Sequence, residues 1–303
     1  MADADRGYRL AESLTRAAGR TYFLASRLLP VDGRRAVFAL YGYARTVDDV
    51  VDGAGGSQPR SARLDALENG LAAALAGAPV PAGLSRDEAD MLAALAESVH
   101  RFAIPAETFE AFGRSMRMDL PGDPLFRNRY ATLDALAEYT YGSAAVIGLQ
   151  LLPILGAAPD PDTARGAALL GEAFQLTNFL RDVGEDLNRN RIYLPLDHLG
   201  AFGVDEQELR HDATAGTAGP RMRRATAHLI AVNRDQYRRT LPAIASLPRR
   251  SRPAICAAAR SYSAILTAIE DRGHDVFAAR AVVPVHRRLG HAVTAVAGRP
   301  ALG

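Results

Sequence analysis

An all-α fold is predicted by three observations. Apolar residues recur at helical spacing through most of the chain, Ala, Leu and Arg dominate its composition, and the breaks between periodic stretches are short and rich in Pro or Gly. Trp is absent and runs of β-branched residues are few, so intrinsic propensity favours helix over strand in nearly every window.

The first periodic stretch runs from about Tyr8 to Leu29 and is closed by Pro30. The second runs from about Arg34 to Asp52 and is closed by Gly53-Ala54-Gly55-Gly56. Further helices are predicted at about 60–76, 86–101, 106–118, 132–152, 162–187, 219–246, 252–271 and 281–297. Pro153 is expected to kink the helix it sits in. The stretch AGAPVPAGLS, from Ala76 to Ser85, is the most linker-like segment, yet it is too short to divide the chain, which reads as one domain over 1–303. No repeat of 20 to 50 residues, heptad seam or low-complexity tract appears. A chain of 303 residues is long enough to bury a core around a sizeable ligand.

The longest apolar stretch, Tyr141 to Ala158, is interrupted by Gln150 and Pro153. It falls short of the roughly 20 residues that a membrane span needs, so it reads as a buried helix. One cysteine, Cys256, excludes an internal disulfide, and the polar, acidic start MADADRGYRL does not resemble a signal peptide. A cytoplasmic location is expected. Net charge is only +2, which gives no reason to expect a nucleic-acid partner, but ten arginines against one acid, Asp235, lie between Arg221 and Arg260. That stretch reads as a solvated helix face in a chain without lysine, or as a surface for phosphates or anionic lipid, with peripheral contact at the inner face of the plasma membrane as the consequence.

Two acidic clusters carry the chemistry. Asp48, Asp49 and Asp52 in YGYARTVDDVVDG fall within about one helical turn, where Asp48 and Asp52 share a face with Arg45 and Tyr41. They repel one another, and they stand at a helix C-terminus, where the macrodipole disfavours each anion by about 0.3–1 kcal/mol. A bound cation resolves that conflict; an exposed acidic helix end is the alternative. In the second cluster Asn178, Asp182 and Asp186 repeat at i, i+4, i+8 as one oxygen-bearing row, with Arg181 and Glu185 beside it. Gly184 sits inside this helix at a cost of about 1 kcal/mol relative to alanine, which points to close approach by backbone or ligand.

Mg²⁺ takes carboxylate and carboxamide oxygens and is commonly completed by substrate phosphates. Two acidic helices with Arg45 and Arg181 nearby therefore suit a metal-bridged diphosphate and ionisation of an allylic diphosphate. No GxxxxGK[ST], strand-framed GxGxxG, HExxH or GxSxG occurs, and the seven histidines form no metal-ligand pair at helical spacing.

From Gly19 to about Val283 the chain resembles the squalene/phytoene synthase family, and within it the bacterial phytoene synthases most. The matching segments are GRTYFLASRLLP, ALYGYARTVDDVVD, MRMDL, YTYGSAAVIGLQLLPILG, QLTNFLRDVGEDLNRNRIYLP, SYSAIL and DVFAAR, in the family's order. The resemblance implies an all-α isoprenoid-synthase fold with a central cavity between two Asp-rich motifs. It also implies head-to-head condensation of two geranylgeranyl diphosphates through a cyclopropyl intermediate, with Mg²⁺ or Mn²⁺ required.

Carried over to this chain, the first metal motif is Asp48 and Asp52 with Asp49 beside them, and the second is Asp182 and Asp186 with Asn178 as companion. Arg45, Gln175 and Arg181 match diphosphate-binding positions, and Tyr262 and Arg280 match substrate contacts. Tyr22 joins them from GRTYFLAS, where Thr21 replaces the serine of many relatives. Tyr41 and Tyr139 match aromatic positions facing the reacting centre.

Small residues at Ala144, Ala145 and Gly148 would leave room for C20 chains, although close helix packing explains them equally. Reductive quenching by NADPH is not expected. A C15 enzyme making presqualene diphosphate, squalene or dehydrosqualene, a class I cyclase, and a non-catalytic assembly protein of the same fold are the alternatives.

Overall fold

The computed structural model describes residues 2–53 and 59–296, and its regular structure is helical. β pairing among the described residues amounts to one isolated parallel bridge between Arg129 and Ile192. The N-terminal half consists of α1 (Ala4–Ala18), α2 (Arg20–Ser26), α3 (Val31–Val51), α4 (Arg60–Leu75), α5 (Arg86–Phe102) and α6 (Glu107–Arg117). After it come α7 (Leu133–Thr140), a π-helical turn (Tyr141–Ala145), α8 (Val146–Leu155) and the long α9 (Pro161–Asn188). Two short helices, α10 (Leu196–Gly200) and α11 (Glu206–Ala215), lead to α12 (Pro220–Ser246), α13 (Arg252–Glu270) and α14 (Val285–Val296).

The helix ends follow local chemistry. Asp160 accepts from Thr163 N ahead of Pro161 at the start of α9, and Ser85 with Glu88 forms a complete capping box on α5.

The helix expected over 8–29 is two helices. Gly19, between α1 and α2, lies directly on the ring of Tyr41: a Cβ there would stand 2.6 Å from Tyr41 Cζ, so the backbone changes direction over the ring. The helix expected over 132–152 is likewise broken, at Tyr141–Ala145, where the backbone of Gly142 presses on α6 and a Cβ would meet the Ala111 carbonyl carbon at 2.9 Å. Pro153, expected to cause the kink, sits in the last turn of α8 just before Gly156 at φ 71°.

Two helices, α10 and α11, were not expected, being too short to build a periodic signal. The last helix begins at Val285 and not at 281, because 279–284 is non-helical and carries Arg280 to the site. Ala54–Gly56 of the predicted glycine-rich stop and Ala297 of the last predicted helix lie outside the described residues.

Buried side chains form two clusters. One gathers α1, α3, α4, α5, α6 and α8; the other gathers α7, α9, α12, α13 and the turn through Ile192–Leu194. Leu28 and Ile255 pack against both. No helix among the described residues is long and apolar enough to cross a membrane. The arginine-rich stretch is distributed over α12 and α13 and partly neutralised: Arg221 pairs with Glu208 (3.2 Å), Arg223 with Asp275 (2.6 Å), Arg234 with Glu270 (2.5 Å) and Arg238 with Asp235 (3.0 Å).

Candidate active site

The first acidic cluster stands where the sequence places it, in the last turn of α3, with Asp52 as the C-cap residue. Asp48 is pushed up to about 7, chiefly by burial and then by the neighbouring charge of Asp52. Arg45, a candidate diphosphate ligand, is held by Asp49 on its own helix at 2.5 Å.

The second cluster is not a straight row. Asp182 has non-helical backbone angles (φ −108°, ψ 15°) inside α9, so Asn178 and Asp186 lie on either side of a kink. Burial alone would raise the Asp182 carboxyl, but hydrogen bonds from Arg181 (2.8 and 2.5 Å) and Arg280 (2.9 and 3.1 Å) hold it below the usual carboxylate range. Asp186 lacks such partners among the described residues, and burial and the Asp182 charge push it up to about 8.

The turn after α9 joins the two walls. Arg191 Nη1 donates to Asp52 (2.8 Å), and Arg189 approaches the same carboxylate at 3.2 Å. Arg280 is delivered by the loop that Asp275 organises. Asp275 accepts from the backbone N–H groups of Ala218, Phe277 and Ala278 (2.9, 3.1 and 3.1 Å) and from the hydroxyl of Thr217 (2.7 Å).

Tyrosines line the approach: Tyr22 packs against Tyr41 and Tyr262 with centroids 5.7 and 5.4 Å apart, and Tyr262 stacks on Phe174 at 4.3 Å. Burial pushes the Tyr41 phenol up to about 12. Thr21 is half-buried on α2 and makes no side-chain hydrogen bond among the described residues. The Tyr139 ring makes no ring contact with Tyr41 among the described residues and packs with Tyr130, Phe179 and Tyr193.

Below the acidic walls lies an apolar cleft with about 110 Å³ of room for water-sized spheres. Its lining starts at Tyr22, Phe174 and Gln175 and continues between α8 and α9 to Thr163, Leu155, Ala243, Leu247 and Ile255. Gln175 to Thr163 spans about 18 Å at the helical rise per residue. Ala144 and Gly148 line the cleft, whereas Ala145 does not. Both backbones are also packing surfaces, since a Cβ at Gly148 would meet the Ala167 carbonyl carbon at 2.7 Å and one at Gly171 that of Ala144 at 2.8 Å. Gly184 makes no such approach; a Cβ there would meet Phe277 at an ordinary 3.6 Å.

The donor set fits a hard divalent cation. Asp48 and Asp186 have no ion-pair partner among the described residues, and Asn178 Oδ1 is buried without a hydrogen bond while its Nδ2 donates to Gln175 (3.3 Å). A buried carboxamide oxygen without a donor, on the same helix as the unpaired Asp186, is a group such an ion satisfies. Among the described residues no three carboxylate, imidazole or thiol groups are already gathered about one point.

Sequence reasoning missed Asp119, Arg191, Tyr193 and Asp275. Each lies within a recognised segment (MRMDL, RNRIYLP, DVFAAR), but only contacts distant in sequence reveal its part. It also missed the His198–His228 pair, 2.9 Å apart and contributed by α10 and α12.

The family described as squalene/phytoene synthase matches residues 15–288. The 15-cis-phytoene synthase of Synechococcus elongatus is 34% identical over 300 residues, covering 95% of this chain and 92% of that protein. A chloroplastic phytoene synthase of Zea mays is 35% identical over 280 residues, covering 90% and 62%. Among solved structures, a dehydrosqualene synthase superposes with a TM-score of 0.83 at 26% identity, covering 97% of each chain. A squalene synthase from Alicyclobacillus acidocaldarius gives 0.75 at 26% identity, covering 88% and 94%. The acidic helices, the apolar cleft beneath them and this likeness over nearly the whole chain agree, and the chain belongs to the squalene/phytoene synthase family.

Proposed function

We propose that this protein is a prenyltransferase of the phytoene synthase type, joining two geranylgeranyl diphosphates head to head with release of diphosphate. The observation that carries the reading is the kinship at about one-third identity with phytoene synthases over nearly the full length, with both acidic clusters present. Asp48, Asp49, Asp52, Asn178, Asp182 and Asp186 would hold Mg²⁺ or Mn²⁺, which supplies charge neutralisation to the leaving diphosphate.

The chain's own residues do the rest. Arg181 and Arg280 lie within reach of the second cluster, Arg189 and Arg191 within reach of the first, and their guanidinium groups offer charge-assisted hydrogen bonds to diphosphate oxygens. The cleft takes a prenyl chain and keeps water from it. The rings of Tyr22, Tyr41 and Tyr262 surround its entrance with aromatic faces, which attract positive charge developing on carbon.

The likeness to a dehydrosqualene synthase favours a second reading, a C15 enzyme. Incubating the protein with C15 and C20 diphosphates and Mg²⁺, with and without NADPH, and identifying the hydrocarbon by mass separates them. Phytoene from the C20 substrate with no effect of NADPH is the expected result, and preference for C15 refutes the chain-length assignment. We also propose peripheral contact with membranes, because the product is a water-insoluble hydrocarbon. Flotation with anionic and neutral liposomes tests it, and absence from both removes it.

A further inference from the structure

We propose that Asp119, in the turn after α6, is a positioning residue for this reaction: it fixes the Tyr139 phenol and the Arg191 guanidinium relative to the two acidic helices. The inference rests on the function proposed above. Asp119 is 4% exposed, and both of its carboxylate oxygens are used. Oδ2 accepts from the hydroxyl of Tyr139 and Oδ1 from that of Tyr193, each at 2.7 Å. Arg191 Nη2 donates to the backbone oxygen of Asp119 (3.2 Å), its Nε lies 3.6 Å from Oδ1, and its Nη1 donates to Asp52 (2.8 Å).

Asp119 thus ties α7 to the turn after α9 directly, and reaches the end of α3 through Arg191. A carboxylate is a costly means of holding a core, since apolar side chains of similar volume do so without desolvating a charge. What an apolar group cannot do is set the direction of a hydroxyl.

With its proton donated to Asp119, the Tyr139 oxygen has only lone pairs to offer a substrate. The ring rests on Phe179 (6.2 Å) and Tyr193 (5.2 Å), so its plane is fixed as well. Phe179 is one turn from Asp182 along α9. An electron-rich phenol backed by a buried carboxylate stabilises positive charge on an ionised prenyl chain, while the tyrosine ring keeps the carboxylate itself from capturing the cation. Arg191, held by the same residue, keeps a cationic group on Asp52 until diphosphate competes for it.

A double-mutant cycle on the full-length protein tests this, using Asp119→Asn, Tyr139→Phe and the pair, assayed with Mg²⁺ and both C20 and C15 diphosphates. Each single change is expected to lower kcat by about 10²-fold with KM within about threefold, and the double change to be no slower than the slower single. Asp119→Glu is expected to regain part of the lost kcat. Losses that multiply in the double variant, or full kcat in Asp119→Asn, would overturn the proposal, as would a loss that vanishes when the assay is cooled well below each variant's melting point. If Asp119→Asn does not fold, Tyr193→Phe, which keeps the carboxylate and removes one hydrogen bond, takes its place in the cycle with the same expected coupling. Wild-type turnover of C15 alone would refute the chain-length assignment while the cycle still reports on Asp119. A wild type that turns over neither substrate would overturn both.

Discussion

Two glycines that look alike in sequence are expected to respond oppositely to alanine. In Gly148→Ala the added Cβ meets the Ala167 carbonyl carbon at 2.7 Å and the Ala168 nitrogen at 3.4 Å, where ordinary carbon contacts begin near 3.5 Å. The obstacle is backbone, not the end of a flexible side chain, so α8 and α9 must separate. A clash this close with backbone lies at the upper end of the about 1–3 kcal/mol that overpacking costs, and the helix preference for Ala over Gly returns about 1 kcal/mol of it, leaving a net loss of about 2 kcal/mol.

In Gly184→Ala the Cβ meets only Phe277 at 3.6 Å, so the helix preference of about 1 kcal/mol stands unopposed. Unfolding 303 residues carries about 0.6 kcal/mol/K of entropy, so a net loss of about 2 kcal/mol lowers Tm by about 3 °C, and a gain of about 1 kcal/mol raises it by 1–2 °C. Scanning calorimetry on metal-free protein reads both. A neutral or stabilised Gly148→Ala, or a destabilised Gly184→Ala, refutes the reasoning. A Gly184→Ala protein that is more stable yet turns over poorly would show that the glycine makes room for ligand.

Asp48→Asn and Asp182→Asn are both expected to lose turnover by at least about 10²-fold, but their metal-free melting points should move apart. Asp48→Asn relieves repulsion and rises, while Asp182→Asn loses its hydrogen bonds to Arg181 and Arg280 and falls; calorimetry of the two checks it. The pH dependence follows from Asp48 at about 7 and Asp186 at about 8, both above the 3.8 of an unfolded chain. Between those values the folded state binds more protons, so metal-free stability should fall as pH rises from about 4 to about 8. Mg²⁺ with inorganic diphosphate should flatten that slope in urea titrations. Ala167→Leu, deep in the cleft, should lower the C20/C15 ratio of kcat/KM, since each CH₂ excluded from apolar surroundings forfeits about 0.8 kcal/mol; an unchanged ratio would place the chain elsewhere.

The sequence by itself determined the helical class, most helix boundaries and the positions of both acidic clusters, because each depends on residues within a few turns of one another. Periodicity marks α3 and α9, and the crowding of Asp48, Asp49 and Asp52 at a helix end is legible without any neighbour. What the tertiary structure decided involves partners far apart in the chain. Arg191 reaches Asp52 across 139 residues and Asp119 across 72, and no spacing rule encodes either. The same holds for Asp182, which reads as a bare metal ligand but is held by Arg280 from 98 residues away, so its removal is expected to destabilise the fold. Gly19 and Gly142 fall inside stretches that periodicity reads as helix, Gly148 reads equally as space for a substrate or as a packing point, and each is a place where another element presses on the backbone. Local propensity and charge set the elements, while close packing and long-range ion pairs settle which residues face one another, because those interactions exist only once the helices are assembled.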